Sequence, residues 1–231
     1  MSPALHIFTT PEAQAAQLAA EVANHLRTAL YHRGQASLAV SGGKSPIAFF
    51  KRLSQAALDW HQVSITLVDE RWVEPDSADS NERLVRQHLL QGPAAVAQFV
   101  PLKTAATDPI EALAERSHAL AAMPRPFDVV VLGMGEDGHT ASLFPSAAGL
   151  ADAMNPQASP TLVAMTPLHA PHRRISFNLA MVLDARFIAL SIQGPVKRRI
   201  FDAAATADAL QWPVVAVLQQ SRVPVAGYWS A

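Results

Sequence analysis

Between Ser37 and Leu218 the chain carries five short runs of apolar, often β-branched residues: SLAV at 37–40, VSITLV at 63–68, FDVVVL at 127–132, RFIALSI at 186–192 and VVAVL at 214–218. Runs this short and this apolar make strands buried on both faces, and such strands belong in a parallel sheet sandwiched between helices. Helical signals lie between several of them, from Pro46 to about Gln55 and from Asp108, a cap, through Ala122. A longer helix precedes them all. Thr10 caps it, Pro11 suits its first turn, and Gly34 lies beyond its end near Tyr31. Its stripe of Ala15, Leu18, Ala19, Val22, Leu26 and Leu30 recurs at helical spacing and faces a core. The expected fold is α/β: a Rossmann-like, mostly parallel sheet with helices on both faces.

No internal repeat and no long Gly/Ser or charged linker divides the chain, so residues 1–231 are read as one domain. The segment Pro145–Pro160, rich in Ala, Pro and Asn, reads as a surface loop or irregular excursion. With 50% hydrophobic and 16% charged residues, a disordered regulator is excluded. Lys and Arg number 18 against 19 Asp and Glu, a net charge of -1, which supplies no field for binding nucleic acid or a membrane surface. Neither is expected as a partner, and any anion must be recognised locally. The absence of cysteine removes disulfides, thiol nucleophiles and Cys-based zinc sites. MSPALHIFTTPEAQ has no basic, apolar leader pattern and no 18 apolar residues run uninterrupted, so a cytoplasmic protein is expected.

In open parallel sheets ligands bind beyond the carboxyl ends of strands, so the polar residues directly after the apolar runs carry most weight. SGGKSP, Ser41 to Pro46, follows SLAV; its glycines let the backbone approach a ligand and its free N–H groups suit a phosphate. A Walker A loop needs a Gly five positions before Gly43, where Leu38 stands. The acidic pair Asp69-Glu70 with Arg71 follows VSITLV and suits sugar hydroxyls or the tuning of a neighbouring base. GMGEDGHTASLFP follows FDVVVL. Its G-x-G-x-x-G spacing imitates a dinucleotide site, but Glu136 and Asp137 put carboxylates where a pyrophosphate would sit, and Pro145 cuts short any helix after Gly138.

Asp137 and His139 stand two apart in that Gly-flanked loop, and an imidazole with an ordinary pKa of about 6.5 suits proton transfer at neutral pH. His139 is the candidate general base. Arg173-Arg174 and Lys197 can complete an anion site, Arg through its planar fork and Lys as a point charge. No metal site is expected: HExxH is missing, and His169 with His172 is too little to make one.

Taken in chain order, SGGKSP, DERWV, Ser80-Asn81, GMGEDGHTASLFP, RRIS and GPVK resemble the 6-phosphogluconolactonases, in the larger group that also holds glucosamine-6-phosphate deaminase and ribose-5-phosphate isomerase. The likeness covers nearly the whole chain, and DGHTASLFP is its most specific element. Deaminases typically read DGHIAFNEP there and carry an aromatic residue where Arg71 stands, which places this chain on the lactonase side. One departure is Lys44-Ser45, where the family's usual loop reads SGGSTP; the hydroxyl at Ser45 is kept, and Lys44 either adds charge to the phosphate site or faces solvent.

The resemblance implies hydrolysis of 6-phospho-D-glucono-1,5-lactone to 6-phosphogluconate in the oxidative pentose phosphate pathway, with no cofactor, by a monomer or weak homodimer. It implies a catalytic set of His139, Asp137, Arg71 and Asp69, in which either Asp137 or Asp69 orients His139 and the oxyanion meets loop N–H groups or Arg71. The substrate and phosphate set is Ser41, Gly42, Gly43, Lys44, Ser45, Glu70, Asn81, Arg174 and Lys197, with Arg174 preferred to Arg173 because the family's Arg directly precedes Ile-Ser/Thr. Two rivals are a deaminase or isomerase on the same fold and a non-catalytic sugar-phosphate sensor. The latter would need a DNA-binding helix-turn-helix, for which the charge balance offers no basic face.

Overall fold

The first helix forms where its caps predict. Thr10 accepts the backbone N–H of Ala13 at 3.2 Å, and Gly34, at φ +69°, closes helix α1, Pro11–Arg33. The structure, a computed structural model, describes residues 3–231. In it the apolar runs become strands: β2 (Ala36–Val40), β3 (Val63–Leu67), β6 (Val129–Leu132) and β9 (Ile188–Gln193). Three strands lacked a strong apolar signature, β1 (Ala4–Phe8), β5 (Gln98–Val100) and β10 (Val225–Ser230). These seven form one sheet in the order β1-β10-β9-β6-β2-β3-β5, with every neighbouring pair parallel. A second sheet, antiparallel, joins β4 (Asp69–Arg71), β8 (Arg174–Phe177) and β7 (Leu162–Met165) in the order β4-β8-β7.

Helices cover both faces of the large sheet. Neighbouring residues in a strand point to opposite faces; the Ser191 hydroxyl on β9 meets Gln14 of α1, its partner Tyr228 on β10 shares that face, and Gly227 faces the other way. A Cβ at Gly227 would lie 2.7 Å from Phe201 of helix α7 (Gly194–Ala203), so α1 and α7 sit on opposite sides. The remaining helices are α2 (Ile47–Leu53), α3 (Asn81–His88), α4 (Pro109–Ala121), α5 (Leu150–Ala153), α6 (Leu179–Val182) and α8 (Val214–Gln219). As expected, Asp108 caps α4, accepting the N–H of Ile110 at 2.9 Å. One continuous hydrophobic cluster runs through both sheets, from Leu26 and Val40 to Ile175 and Phe177. Among the described residues no helix is long and apolar enough to cross a membrane.

Two expectations are corrected. VVAVL at 214–218 is helix α8, not a strand. Pro213 sits in the helical region at φ -52°, ψ -32°, and Val214, Val215, Val217 and Leu218 are all buried, so no alternation distinguishes strand from helix. The place beside β9 goes to Val225–Ser230 instead. Asp69–Arg71 is a strand rather than a polar loop, because β8 pairs with it. Pro145–Pro160 is, as expected, a mostly exposed irregular excursion, which carries the short helix α5 and seats Ala147, Leu150, Ala153 and Met154 in the interior.

Candidate active site

From β2 the chain moves outward to β3, whereas β6 takes the place on the other side of β2. The loops leaving β2 and β6 therefore diverge, and a crevice opens at that switch point. A cavity of about 260 Å³ lies there, walled by the loop after β2, by β4, by the loop after β6 and by the first turn of α7. Ser41 joins the two loops: its N–H donates to the Val131 carbonyl at 2.9 Å and its Oγ accepts the Gly133 N–H at 3.1 Å. Gly42, Gly43, Lys44 and Ser45 continue along the same wall. At Gly42 a Cβ would lie 1.8 Å from Asn81 Oδ1, so only glycine leaves room for that amide. Asn81 also lines the cavity, and its Nδ2 donates to the Asp69 carbonyl at 2.9 Å.

The loop after β6 brings His139 to the cavity. Its Nδ1 lies 2.6 Å from Asp137 Oδ1, which also accepts the His139 backbone N–H at 3.2 Å. Partial burial alone would raise the Asp137 pKa, but the hydrogen bond and charge of His139 hold it below its usual value. An ionised carboxylate only accepts, so Nδ1 is the nitrogen that donates to Asp137 and Nε2 is left as the nitrogen able to take up a proton from the cavity side. Phe144 packs against the ring, with centroids 4.2 Å apart. Gly135 lies beneath it: a Cβ there would stand 2.2 Å from His139 Nδ1.

The pleat of β4 separates its three charged residues. Asp69 and Arg71 share one face with their partners on β8, Ser176 and Arg174, and that face looks toward the cavity. Asp69 and Arg71 line the cavity. Among the described residues Asp69 makes no hydrogen bond to His139; its Oδ2 accepts the Ser142 hydroxyl at 2.6 Å. Glu70 points to the opposite face, is fully buried and does not line the cavity. Burial pushes its pKa up to about 7, although the N–H groups of Asn81, Glu82 and Arg71 pull it the other way. Arg174 likewise does not line the cavity; it is only 4% exposed, beside its cross-strand partner Arg71, with one guanidinium nitrogen unpartnered among the described residues. Burial and the charge of Arg71 lower its pKa, against the charges of Asp69, Glu70 and Asp79. Arg173 pairs with Asp108 at the start of α4.

Lys197, in the first turn of α7, lines the cavity as well. Burial lowers its pKa, opposed by the charge of Glu136. A half-buried ammonium at the positive end of a helix is badly placed unless an anion joins it. The loop Gly42–Ser45, Lys197 and His139 thus all line one cavity.

The family model described as glucosamine-6-phosphate isomerases/6-phosphogluconolactonase matches residues 9–225. The chain belongs to that family. It is 46% identical over 226 residues to a 6-phosphogluconolactonase of Pseudomonas aeruginosa, covering 97% of this chain and 94% of the relative. With a 6-phosphogluconolactonase of Rhizobium meliloti it shares 43% identity over 231 residues, 100% of both chains. It superposes on a crystal structure of a 6-phosphogluconolactonase from Shewanella baltica with a TM-score of 0.95, at 45% identity, covering 99% of this chain and 98% of that one.

In this member of the glucosamine-6-phosphate isomerase/6-phosphogluconolactonase family, several supporting residues escaped sequence reasoning. Ser142 stood inside the DGHTAS string without a role, and its bond to Asp69 needed the fold to be seen. Gln14, buried on α1, donates to Ser191 on the cavity wall at 3.2 Å across 177 residues. Trp212 and α8 brace the His139 loop: the Val214 N–H donates to the Gly138 carbonyl at 3.0 Å, and a Cβ at Gly138 would meet Trp212 at 2.7 Å. No local pattern marks these contacts.

Proposed function

We propose that the chain hydrolyses 6-phospho-D-glucono-1,5-lactone to 6-phosphogluconate, with His139 as general base. The observation that carries this reading is that His139, Ser45 and Lys197, far apart in sequence, line one cavity of sugar-phosphate size. The phosphate is held by Lys197, Ser45 and the N–H groups around Gly42 and Gly43, which fixes the ring so that C1 meets the base.

His139 Nε2 takes a proton from water as the water oxygen bonds to C1. The carbonyl oxygen becomes an oxyanion, stabilised by loop N–H groups or by Arg71. Asp137 holds the ring in the required tautomer and balances the imidazolium. The C1–ring-oxygen bond then breaks, Nε2 returns its proton to the departing oxygen, and the new carboxylic acid ionises. Each turnover releases one proton.

The lactone also opens spontaneously, so general-base assistance of roughly 100- to 10,000-fold is a sufficient catalytic contribution. Proton release on mixing the purified protein with freshly generated phosphorylated lactone, above the spontaneous background, tests the activity. His139→Ala is expected to lower turnover by at least about 100-fold with the fold retained; wild-type turnover in a folded variant removes His139 from the mechanism. Ammonia release from glucosamine 6-phosphate would instead establish the deaminase reading.

A further inference from the structure

Glu70 is a fully buried carboxyl group of the site region that the proposed chemistry does not use. All of its hydrogen-bonding capacity is nevertheless spent on two segments. Oε1 accepts the backbone N–H of Arg71 at 2.7 Å and that of Asn81 at 2.8 Å. Oε2 accepts the backbone N–H of Glu82 at 2.7 Å and the Ser80 hydroxyl at 3.1 Å. A carboxylate offers about four lone-pair sites, and these four donors fill them. Two of the donors lie in the first turn of α3 and a third, Ser80, is its cap, also accepting the Arg83 N–H at 3.2 Å. The remaining donor is on β4. Between the two segments runs a mostly exposed stretch, Glu74 to Asp79, and a further direct tie between them is the bond from Asn81 Nδ2 to the Asp69 carbonyl.

We infer that Glu70 is a positioning residue: its carboxylate clamps β4 to the start of α3 and thereby holds Arg71 on the cavity wall. This rests on the lactonase reading and extends it to a residue outside the cavity. The alternation along β4 makes the arrangement possible. Arg71 turns one way to the cavity while its own N–H is gripped from the other side by the preceding residue, and its Nη1 donates to the Asp79 carbonyl at 2.6 Å, just before the gripped helix start. Both the backbone N–H and the guanidinium of Arg71 are thus bonded within the span that Glu70 closes. A glutamine has nearly the same shape but cannot replace it, because every partner here donates and its NH₂ would face an N–H at either oxygen position.

A double-mutant cycle separates positioning from simple anchoring. kcat/KM for the phosphorylated lactone is measured for wild type, Glu70→Gln, Arg71→Ala and the double variant, at a temperature where circular dichroism shows each one folded. Glu70→Gln is expected to lower kcat/KM about 10-fold when Arg71 is present and less than about 2-fold when it is Ala. A variant that melts earlier but keeps kcat/KM within about 2-fold of wild type overturns the positioning role. So does a loss that multiplies in full with that of Arg71→Ala.

Should Glu70→Gln fail to fold, Ser80→Ala, which removes one donor and leaves the carboxylate, enters the same cycle. A loss of about 3-fold that disappears with Arg71→Ala supports the inference, and either no loss or an independent one overturns it. Wild-type protein without lactone hydrolysis overturns the lactonase reading itself, which is visible before any variant is compared.

Discussion

Asp137→Asn isolates what the carboxylate beside His139 contributes. The substitution preserves shape, and the structure dictates how the amide sits. Asp137 Oδ1 accepts both the His139 ring Nδ1–H at 2.6 Å and the His139 backbone N–H at 3.2 Å, so an asparagine satisfies both only with its oxygen in that place. The tautomer is then kept and only the charge is lost. Charge-assisted hydrogen bonds contribute about 1.5–3 kcal/mol and neutral ones about 0.5–1.5, a difference of about 1–2 kcal/mol. The Asp137 side chain is 52% exposed, so solvent screening keeps the loss toward the lower part of that range.

If the difference falls on the imidazolium formed in the transition state, kcat should drop about 5- to 30-fold. KM should change little, because the phosphate end is untouched. Proton release at saturating phosphorylated lactone, with the spontaneous rate subtracted, measures it. A kcat within about twofold of wild type would show that the charge does nothing for the base. A loss as large as that of His139→Ala would show that the ring has changed tautomer and that the orientation argument is wrong.

The pair also leaves a mark on stability. The folded Asp137 pKa lies below the ordinary 3.8, so its contribution is present above that value and disappears as the pH falls through the folded one. The difference in melting temperature between wild type and Asp137→Asn should shrink across that acid window.

Lys197→Ala should raise KM for the phosphorylated lactone about 10- to 100-fold, the range for a lost charge-assisted contact, and leave hydrolysis of unphosphorylated gluconolactone unchanged. Equal effects on both substrates would place the phosphate elsewhere. In Gly135→Ala the new methyl would stand 2.2 Å from His139 Nδ1, so activity should fall close to that of His139→Ala; a normal rate in the folded variant would show that the ring needs no close seat on Gly135. Ser142→Ala leaves the buried Asp69 Oδ2 without its donor and should cost about 1–3 kcal/mol of stability in urea unfolding, with an unchanged midpoint counting against it.

Features governed by neighbours in the chain were legible beforehand. Thr10, Pro11 and Gly34 bound α1 because a cap and a left-handed glycine act within a few residues. Four apolar runs declared strands buried on both faces, and the position of the polar loops after β2 and β6 followed from the sheet they imply. Asp137 and His139 meet because two residues in a tight loop cannot avoid each other. Contacts made across long separations were decided only by the tertiary structure. VVAVL became α8 because the place beside β9 was taken by Val225–Ser230, and apolarity carries no period when a run is buried all round. Asp69-Glu70-Arg71 read as a uniform charged cluster until β8, more than a hundred residues later, made it a strand. Pairing imposes alternation, and alternation sends Asp69 and Arg71 to the cavity and Glu70 away from it. The same pairing sets Arg174, buried, beside Arg71 and leaves Arg173 to pair with Asp108, a division that two adjacent arginines do not announce.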